Sequence, residues 1–175
     1  QSERRVKQVY MLDHDRVLCA CFDGSVVVTD LLTEEVLLER PGVGASSVAC
    51  TPDGGTVLAG YGDGRLAFLG LPTAEARIVD GHDAAIVSIA VTLDGSLAAT
   101  ADATGEMCLW DVSRAEITCR WKGHDARIRR MEFSPDGTRL ASTSVFGTLA
   151  TWPADVVDVD RIAERSRPVV VQVGR

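Results

Sequence analysis

The chain has 175 residues, of which 46% are hydrophobic, 25% charged and 5% aromatic, and its formal net charge is −7. The hydrophobic fraction supports a packed core and argues against intrinsic disorder. No apolar run approaches the roughly 18–20 residues that would span a bilayer. The acidic balance argues against a general nucleic-acid binder, which needs a basic surface to collect phosphates.

The cysteine content predicts free thiols rather than a metal centre or a disulfide framework. No two cysteines form a Cys-x-x-Cys pair, and none has a histidine at zinc-binding spacing. The five residues are Cys19, Cys21, Cys50, Cys108 and Cys119. We therefore expect a reducing compartment and a cytoplasmic location. Because the chain begins at Gln1 and not at a methionine, we also expect a fragment of a longer protein.

A fourfold repeat organises the sequence. Its anchor positions are Thr29, Leu69, Trp110 and Trp152, which stand 40, 41 and 42 residues apart. A glycine lies five residues before each anchor (Gly24, Gly64, Gly105, Gly147), and an aspartate lies sixteen before it (Asp13, Asp53, Asp94, Asp136). Periods of 20–50 residues are typical of solenoids and propellers. The repeats are predicted at residues 1–40, 41–80, 81–122 and 123–155, followed by a tail at 156–175.

Each repeat is predicted to form a small antiparallel sheet of four strands. In the third repeat, β-branched and apolar runs separated by turn residues predict strands at 86–91, 97–100, 106–112 and 116–121. Met107 and Leu109 are expected to face inward, with their neighbours facing outward. In the tail, residues 169–173 are a candidate outer strand of the fourth sheet, or the start of a further unit.

Two dipeptides and a turn carry a family resemblance. The Gly81-His82 and Gly123-His124 pairs, the Ser-Pro-Asp-Gly turn at 134–137 and the Leu-Trp-Asp sequence at 109–111 resemble the WD-repeat family of β-propellers. The resemblance covers roughly residues 1–155 and is strong only in the third and fourth repeats. It implies an all-β fold with four four-stranded antiparallel blades, as part of a larger seven- or eight-bladed ring. A self-contained four-bladed ring is the alternative.

The resemblance also implies a hydrogen-bonded structural tetrad of His, Ser or Thr, Trp and a turn Asp in each blade. The third repeat offers His82, Thr100 and Trp110, and the fourth offers His124, Ser142 and Trp152. The turn position six residues before the Trp holds Thr104 and Phe146 instead of Asp, so neither repeat is expected to have the full set. Asp23 and Asp63 occupy that position in the first two repeats, where the His and Trp are missing.

No catalytic, metal or cofactor motif stands out, so we expect no enzyme activity and no cofactor. The glycine-rich residues 60–64 and the acidic cluster at 13–15 both fall where the repeat places turns. A propeller enzyme with a site in the central channel is the least favoured alternative, because the inner strands carry residues such as Val9, Val48, Ile89 and Met131 and little that titrates.

Two features are candidate binding sites for a protein partner. Lys122, Arg127, Arg129 and Arg130 cluster around the connection into the fourth repeat of an otherwise acidic chain, where they form either an ordinary solvated face or a patch for an acidic partner segment. Phe146 is a turn aromatic suited to an interface or to packing on a neighbouring blade. The interpretation is a non-enzymatic interaction scaffold whose partners include the chain or segment that completes the propeller, with neither nucleic acid nor membrane as partner. The alternative is a regulatory or sensor domain of a larger multidomain protein.

Overall fold

A computed structural model of the chain describes residues 5–12, 14–23, 25–40, 44–71 and 75–154. Within these ranges the secondary structure consists of β-strands and turns, and no helix there is long and apolar enough to cross a membrane. Sheet 1 contains β1 (Val6–Met11), β2 (Arg16–Cys21), β3 (Val26–Asp30) and β4 (Val36–Arg40). Sheet 2 contains β5 (Ala45–Cys50), β6 (Thr56–Tyr61), β7 (Arg65–Gly70) and β8 (Ala76–Asp80).

The remaining strands form two further sheets. Sheet 3 contains β9 (Ile86–Val91), β10 (Leu97–Asp102), β11 (Glu106–Asp111) and β12 (Glu116–Lys122), and sheet 4 contains β13 (Ile128–Phe133), β14 (Arg139–Ser144) and β15 (Leu149–Pro153). Each sheet is an antiparallel meander in chain order, and β5 and β13 both pack against β9. This all-β array of consecutive sheets confirms the predicted fold class, part of a β-propeller. The candidate outer strand at 169–173 lies outside the described residues, as do Asp13 and Gly24.

The prediction that β11 alternates between inward and outward residues is wrong. Met107, Cys108, Leu109 and Trp110 are all buried, at 0–5% exposure. Met107 and Leu109 pack in the cluster shared with sheet 4, whereas Cys108 and Trp110 pack with Phe68 in the cluster shared with sheet 2. Both faces of sheet 3 are therefore interfaces, and the core of the molecule is a series of contacts between sheets.

The aspartate sixteen residues before each anchor builds the turn between the first two strands of a repeat. The hydroxyl of Thr92 donates to Asp94 Oδ1 at 2.6 Å, and the Ser96 N–H donates to the same oxygen at 3.0 Å. These hydrogen bonds to the charged form lower the pKa of Asp94 to about 2. Asp53 and Asp136 form equivalent turns with the hydroxyls that precede them. A sequence signal thus fixes the same turn in three successive sheets.

Candidate functional site: buried His–Trp networks and an uncovered sheet face

A buried hydrogen-bond network joins the two strand residues and the histidine of the third repeat. The indole Nε1–H of Trp110 donates to Thr100 Oγ1 at 2.8 Å, and the same hydroxyl lies 2.7 Å from His82 Nε2. An indole N–H can only donate, so Thr100 Oγ1 accepts from Trp110, and the direction of its hydrogen bond with His82 Nε2 is set by the tautomer of the imidazole.

Sequence reasoning missed the acidic residue beside this network. Asp102, eight residues before Trp110, places Oδ2 3.6 Å from His82 Nδ1. Its Oδ1 accepts the backbone N–H groups of Thr104, Gly105 and Glu106, which fold the turn around the carboxylate. The turn position itself holds Thr104, as the sequence predicts, and the Asp102 carboxylate approaches the histidine from the end of β10 instead. An acidic residue just before that turn was the available signal.

The histidine stays neutral in this environment. Burial lowers the pKa of His82 to about 4, although the nearby Asp102 carboxylate opposes the shift. Its Nδ1 has no hydrogen-bond partner, and its side chain is fully buried. Glu106 Oε1 lies 3.7 Å from this nitrogen and also accepts a bond from Arg120 at 2.9 Å. The network of sheet 3 therefore ends at an unpaired nitrogen between two carboxylates.

The corresponding network of sheet 4 is closed by hydroxyl groups. Trp152 Nε1–H donates to Ser142 Oγ at 2.8 Å, and that hydroxyl lies 2.7 Å from His124 Nε2. His124 Nδ1 lies 2.9 Å from Thr148 Oγ1, which in turn lies 2.6 Å from Ser144 Oγ. Burial lowers the pKa of His124. Each nitrogen of this imidazole has a partner, in contrast to His82.

Backbone contacts at a glycine tie each turn to the following Gly-His pair. The carbonyl oxygen of Gly64 accepts the N–H groups of Gly81 at 3.3 Å and His82 at 3.0 Å. A Cβ at Gly64 would overlap the carbonyl oxygen of His82, and φ is +89°. Gly105 holds Gly123 and His124 in the same way. Only glycine fits these positions without strain.

The predicted interaction residues near the fourth repeat are exposed but do not share one arrangement. Lys122 Nζ donates to the Thr104 carbonyl oxygen at 2.8 Å, and Arg130 lies 3.5 Å from Glu132. Arg127 is an exposed residue just before β13. Phe146, in the turn between β14 and β15, is 83% exposed. Its aromatic ring is thus largely in solvent rather than packed on a neighbouring sheet of the described chain.

The four inner strands β1, β5, β9 and β13 line a groove of about 760 Å³. Apolar residues such as Val9, Ile89 and Met131 contribute to its wall, as expected from the sequence. The lining also includes Tyr10, Cys50, Arg129, Arg130 and Glu132. The prediction that the inner strands carry few titratable residues therefore does not hold at β13, where the groove is lined by charged side chains.

In the part of the chain that the structure describes, one face of sheet 1 lacks the cover that the same face has in the other sheets. The strand register places Val9 at the position that Val48, Ile89 and Met131 occupy in sheets 2, 3 and 4. Those three residues are 0%, 8% and 5% exposed, because each packs on the preceding sheet, whereas Val9 is 56% exposed. We call this surface the uncovered face; it comprises Val9, Met11, Val17, Cys19, Thr29 and Val36.

The outward face of sheet 4 is built differently. Arg130 and Glu132 stand on it beside Thr143 and Thr151, and both charged side chains are exposed. In sheet 3 the position of Thr151 holds Leu109, which is buried against sheet 4. Among the described residues, the array therefore ends in an apolar face on one side and a mixed, charged face on the other.

Comparison with known families finds a match for segments that carry the first hydrogen-bond network and part of the second. The WD40 family, described as "WD domain, G-beta repeat", matches residues 74–111 and 115–146. The matched segments contain the His82, Thr100 and Trp110 network and the His124 and Ser142 part of the second network. A search of curated proteins finds no relative that matches this chain.

Proposed function

Because the chain belongs to the WD-repeat family, whose repeats generally form protein-interaction domains, we propose that it is a non-enzymatic scaffold that docks a protein partner. The docking surface is the uncovered face of sheet 1, and its occupant is a further β-sheet of the same kind, which continues the propeller. The observation that carries this proposal is the contrast between Val9 and its buried equivalents Val48, Ile89 and Met131.

The three inter-sheet contacts of the chain indicate what this face binds. In each of them a face carrying small and branched apolar residues packs on the apolar face of the preceding sheet. The uncovered face continues that series, with Val17 at the position of the buried residues Val57, Ala98 and Leu140. An exposed apolar surface of this kind is typical of an interaction site.

Site-specific photo-crosslinking tests the proposal. A photoreactive amino acid at position 9 should form adducts with a β-sheet segment of a partner protein, identified by mass spectrometry of the crosslinked peptides. The same group at Leu32, an exposed apolar residue of the β3–β4 turn, is the matched control. Light scattering of the isolated chain should show association that a Val9→Lys substitution reduces.

Either of two results would contradict the proposal. The first is equal crosslinking from positions 9 and 32. The second is a monomer that stays non-associating at high protein concentration and is unaffected by Val9→Lys. Adducts only between copies of this chain would identify self-association in place of a separate partner.

A second candidate site is the charged end of the inner-strand groove. Arg129 lines the groove beside Arg130, and Arg127 is exposed just before β13. We propose that these residues bind an acidic segment of a protein partner, since opposite charges favour fast and specific encounter. Replacing Arg127, Arg129 and Arg130 by Glu should remove binding of a fluorescent oligoglutamate peptide, and unchanged binding would exclude this site.

We also propose a cytoplasmic location. All five cysteines lie within the described residues and none forms a disulfide, which is typical of proteins kept in a reducing compartment. Fractionation of cells that produce the tagged protein tests this location.

A further inference from the structure

The unpaired nitrogen of His82 faces three other groups that bind metal ions. Its Nδ1 lies 3.6 Å from Asp102 Oδ2 and 3.7 Å from Glu106 Oε1. A ring nitrogen of His82, the Glu106 carboxylate and Cys108 Sγ all lie within 4.8 Å of one another. His82, Asp102 and Cys108 are buried and Glu106 is half-buried. A fully buried polar atom without a partner requires an explanation.

We propose that His82, Asp102, Glu106 and Cys108 form a structural binding site for a divalent transition-metal ion, with Zn²⁺ as the best fit. Zn²⁺ binds imidazole nitrogen, carboxylate oxygen and thiolate sulfur in tetrahedral sites, with bonds of about 2.0–2.3 Å. Such bonds place neighbouring ligand atoms roughly 3.3–3.8 Å apart. The separations from His82 Nδ1 to the two carboxylates already have this value. Binding the ion draws Cys108 and the two carboxylates closer to one another.

Charge balance favours the ion. With Cys108 as thiolate, three negative ligands surround a doubly charged cation, and the Arg120 guanidinium that donates to Glu106 supplies the remaining positive charge. The buried site is then neutral, which removes the cost of burying a net charge. Without an ion, Glu106 is paired with Arg120, and the Asp102 carboxylate is held by backbone N–H groups beside a neutral imidazole.

Binding also has a defined proton balance. Zn²⁺ displaces the proton from the Cys108 thiol, and this proton goes to solvent. With Nδ1 bound to the ion, the neutral imidazole of His82 carries its proton on Nε2, where the Thr100 hydroxyl can accept it. One proton is therefore released for each ion bound, and no oxidation or reduction occurs.

Sheet 4 provides an internal comparison. At the positions of Asp102, Glu106 and Cys108 it carries Ser144, Thr148 and Ala150, and His124 Nδ1 is bonded to Thr148. Hydroxyls thus complete the network of sheet 4, whereas sheet 3 has two carboxylates and a thiol around an open nitrogen. The ion would join β10 and β11 to the connection that carries His82, which makes its role structural.

Metal titration of the purified full chain tests the site. After treatment with a chelator, the protein should take up one Zn²⁺ per chain in competition with a chromophoric chelator, release one proton and unfold at a higher temperature. Co²⁺ should bind in its place and give a thiolate-to-metal charge-transfer band. Glu106→Gln and Cys108→Ser should each remove stoichiometric uptake, and Cys108→Ser should remove the band.

Controls keep the result independent of folding. Cys119→Ser alters another buried thiol of sheet 3 and should leave uptake and the band unchanged. Glu106 is only half-buried, so Glu106→Gln should keep the native circular dichroism spectrum. Arg120→Gln should weaken Zn²⁺ affinity by about 10–100-fold, as expected for an outer-shell partner. The proposal is overturned if the wild-type chain binds no stoichiometric Zn²⁺, or if binding persists in Glu106→Gln and Cys108→Ser.

Discussion

Replacing Thr100 by Val would test whether the buried network stabilises sheet 3 through its hydrogen bonds or through packing alone. Valine keeps the shape of threonine and removes only the hydroxyl. That hydroxyl joins Trp110 Nε1 and His82 Nε2. The substitution therefore leaves two buried nitrogen atoms, Trp110 Nε1 and His82 Nε2, without this partner and creates almost no cavity.

The expected loss of stability is large for so small a change. Each buried polar group left unsatisfied costs about 1–3 kcal/mol, and Thr100 serves two such groups. The free energy of unfolding should fall by about 2–6 kcal/mol, out of a total of roughly 5–15 kcal/mol for a typical domain. Thr100→Ser, which loses a methyl group but keeps the hydroxyl, should cost only about 1 kcal/mol.

Urea denaturation followed by circular dichroism and tryptophan fluorescence measures these differences. Thr118→Val is the matched control, because Thr118 is half-buried and makes a single hydrogen bond, to the Leu109 carbonyl oxygen. It should change the free energy of unfolding by about 1 kcal/mol or less. If Thr100→Val is as stable as Thr100→Ser, the network contributes no net hydrogen-bond energy and the reasoning is refuted.

Three further outcomes are expected. Burial lowers the pKa of His82 from 6.5 to about 4, so the folded state binds fewer protons than the unfolded state between these pH values. The free energy of unfolding should therefore fall by about 3 kcal/mol from neutral pH to pH 4. An NMR titration of His82 with a midpoint near pH 6.5 would contradict this prediction. Gly64→Ala should lower the free energy of unfolding by about 2 kcal/mol or more, because φ is positive there and a Cβ would overlap the His82 carbonyl oxygen. Gly62→Ala is the control and should be tolerated, since a Cβ at that position meets no atom within 4 Å. Equal unfolding temperatures for the two variants would argue against the close contact at Gly64. Burial raises the pKa of the Cys108 thiol to about 12, so iodoacetamide should modify the half-buried Cys19 well before Cys108 in the metal-free native protein, as peptide mass spectrometry would show.

The sequence pattern predicted those structural features for which the backbone requires both a particular residue type and a particular spacing. The turns between the first two strands of sheets 2, 3 and 4 followed from the spacing of Asp53, Asp94 and Asp136, because the aspartate side chain hydrogen-bonds its own turn and the glycine after it supplies the positive φ. The resemblance to the WD-repeat family also pointed to His82, Thr100 and Trp110, and the structure joins these three side chains in one hydrogen-bond network.

Other features depend on contacts between sheets, which a single strand does not encode. Asp102 was missed because its carboxylate reaches His82 across a folded turn, from a position two residues away from the one that the family pattern uses. The burial of Cys108 beside Leu109 was missed because alternation assumes one solvent-facing side, whereas sheet 3 has neighbours on both sides. The exposure of Val9 likewise depends on which sheet lies next to it and not on the residue itself.

The two end faces of the array also bear on how copies of this chain could polymerise. Head-to-tail stacking would place the Arg130–Glu132 pair and the hydroxyls of Thr143 and Thr151 against the valines of the uncovered face. Contacts of that kind are heterologous and can extend into open filaments, but here they would desolvate charged and polar groups without matching partners. Contact between two uncovered faces buries mainly apolar surface and stops at a pair. Among the described residues, the charged face of sheet 4 therefore disfavours open head-to-tail stacking of copies.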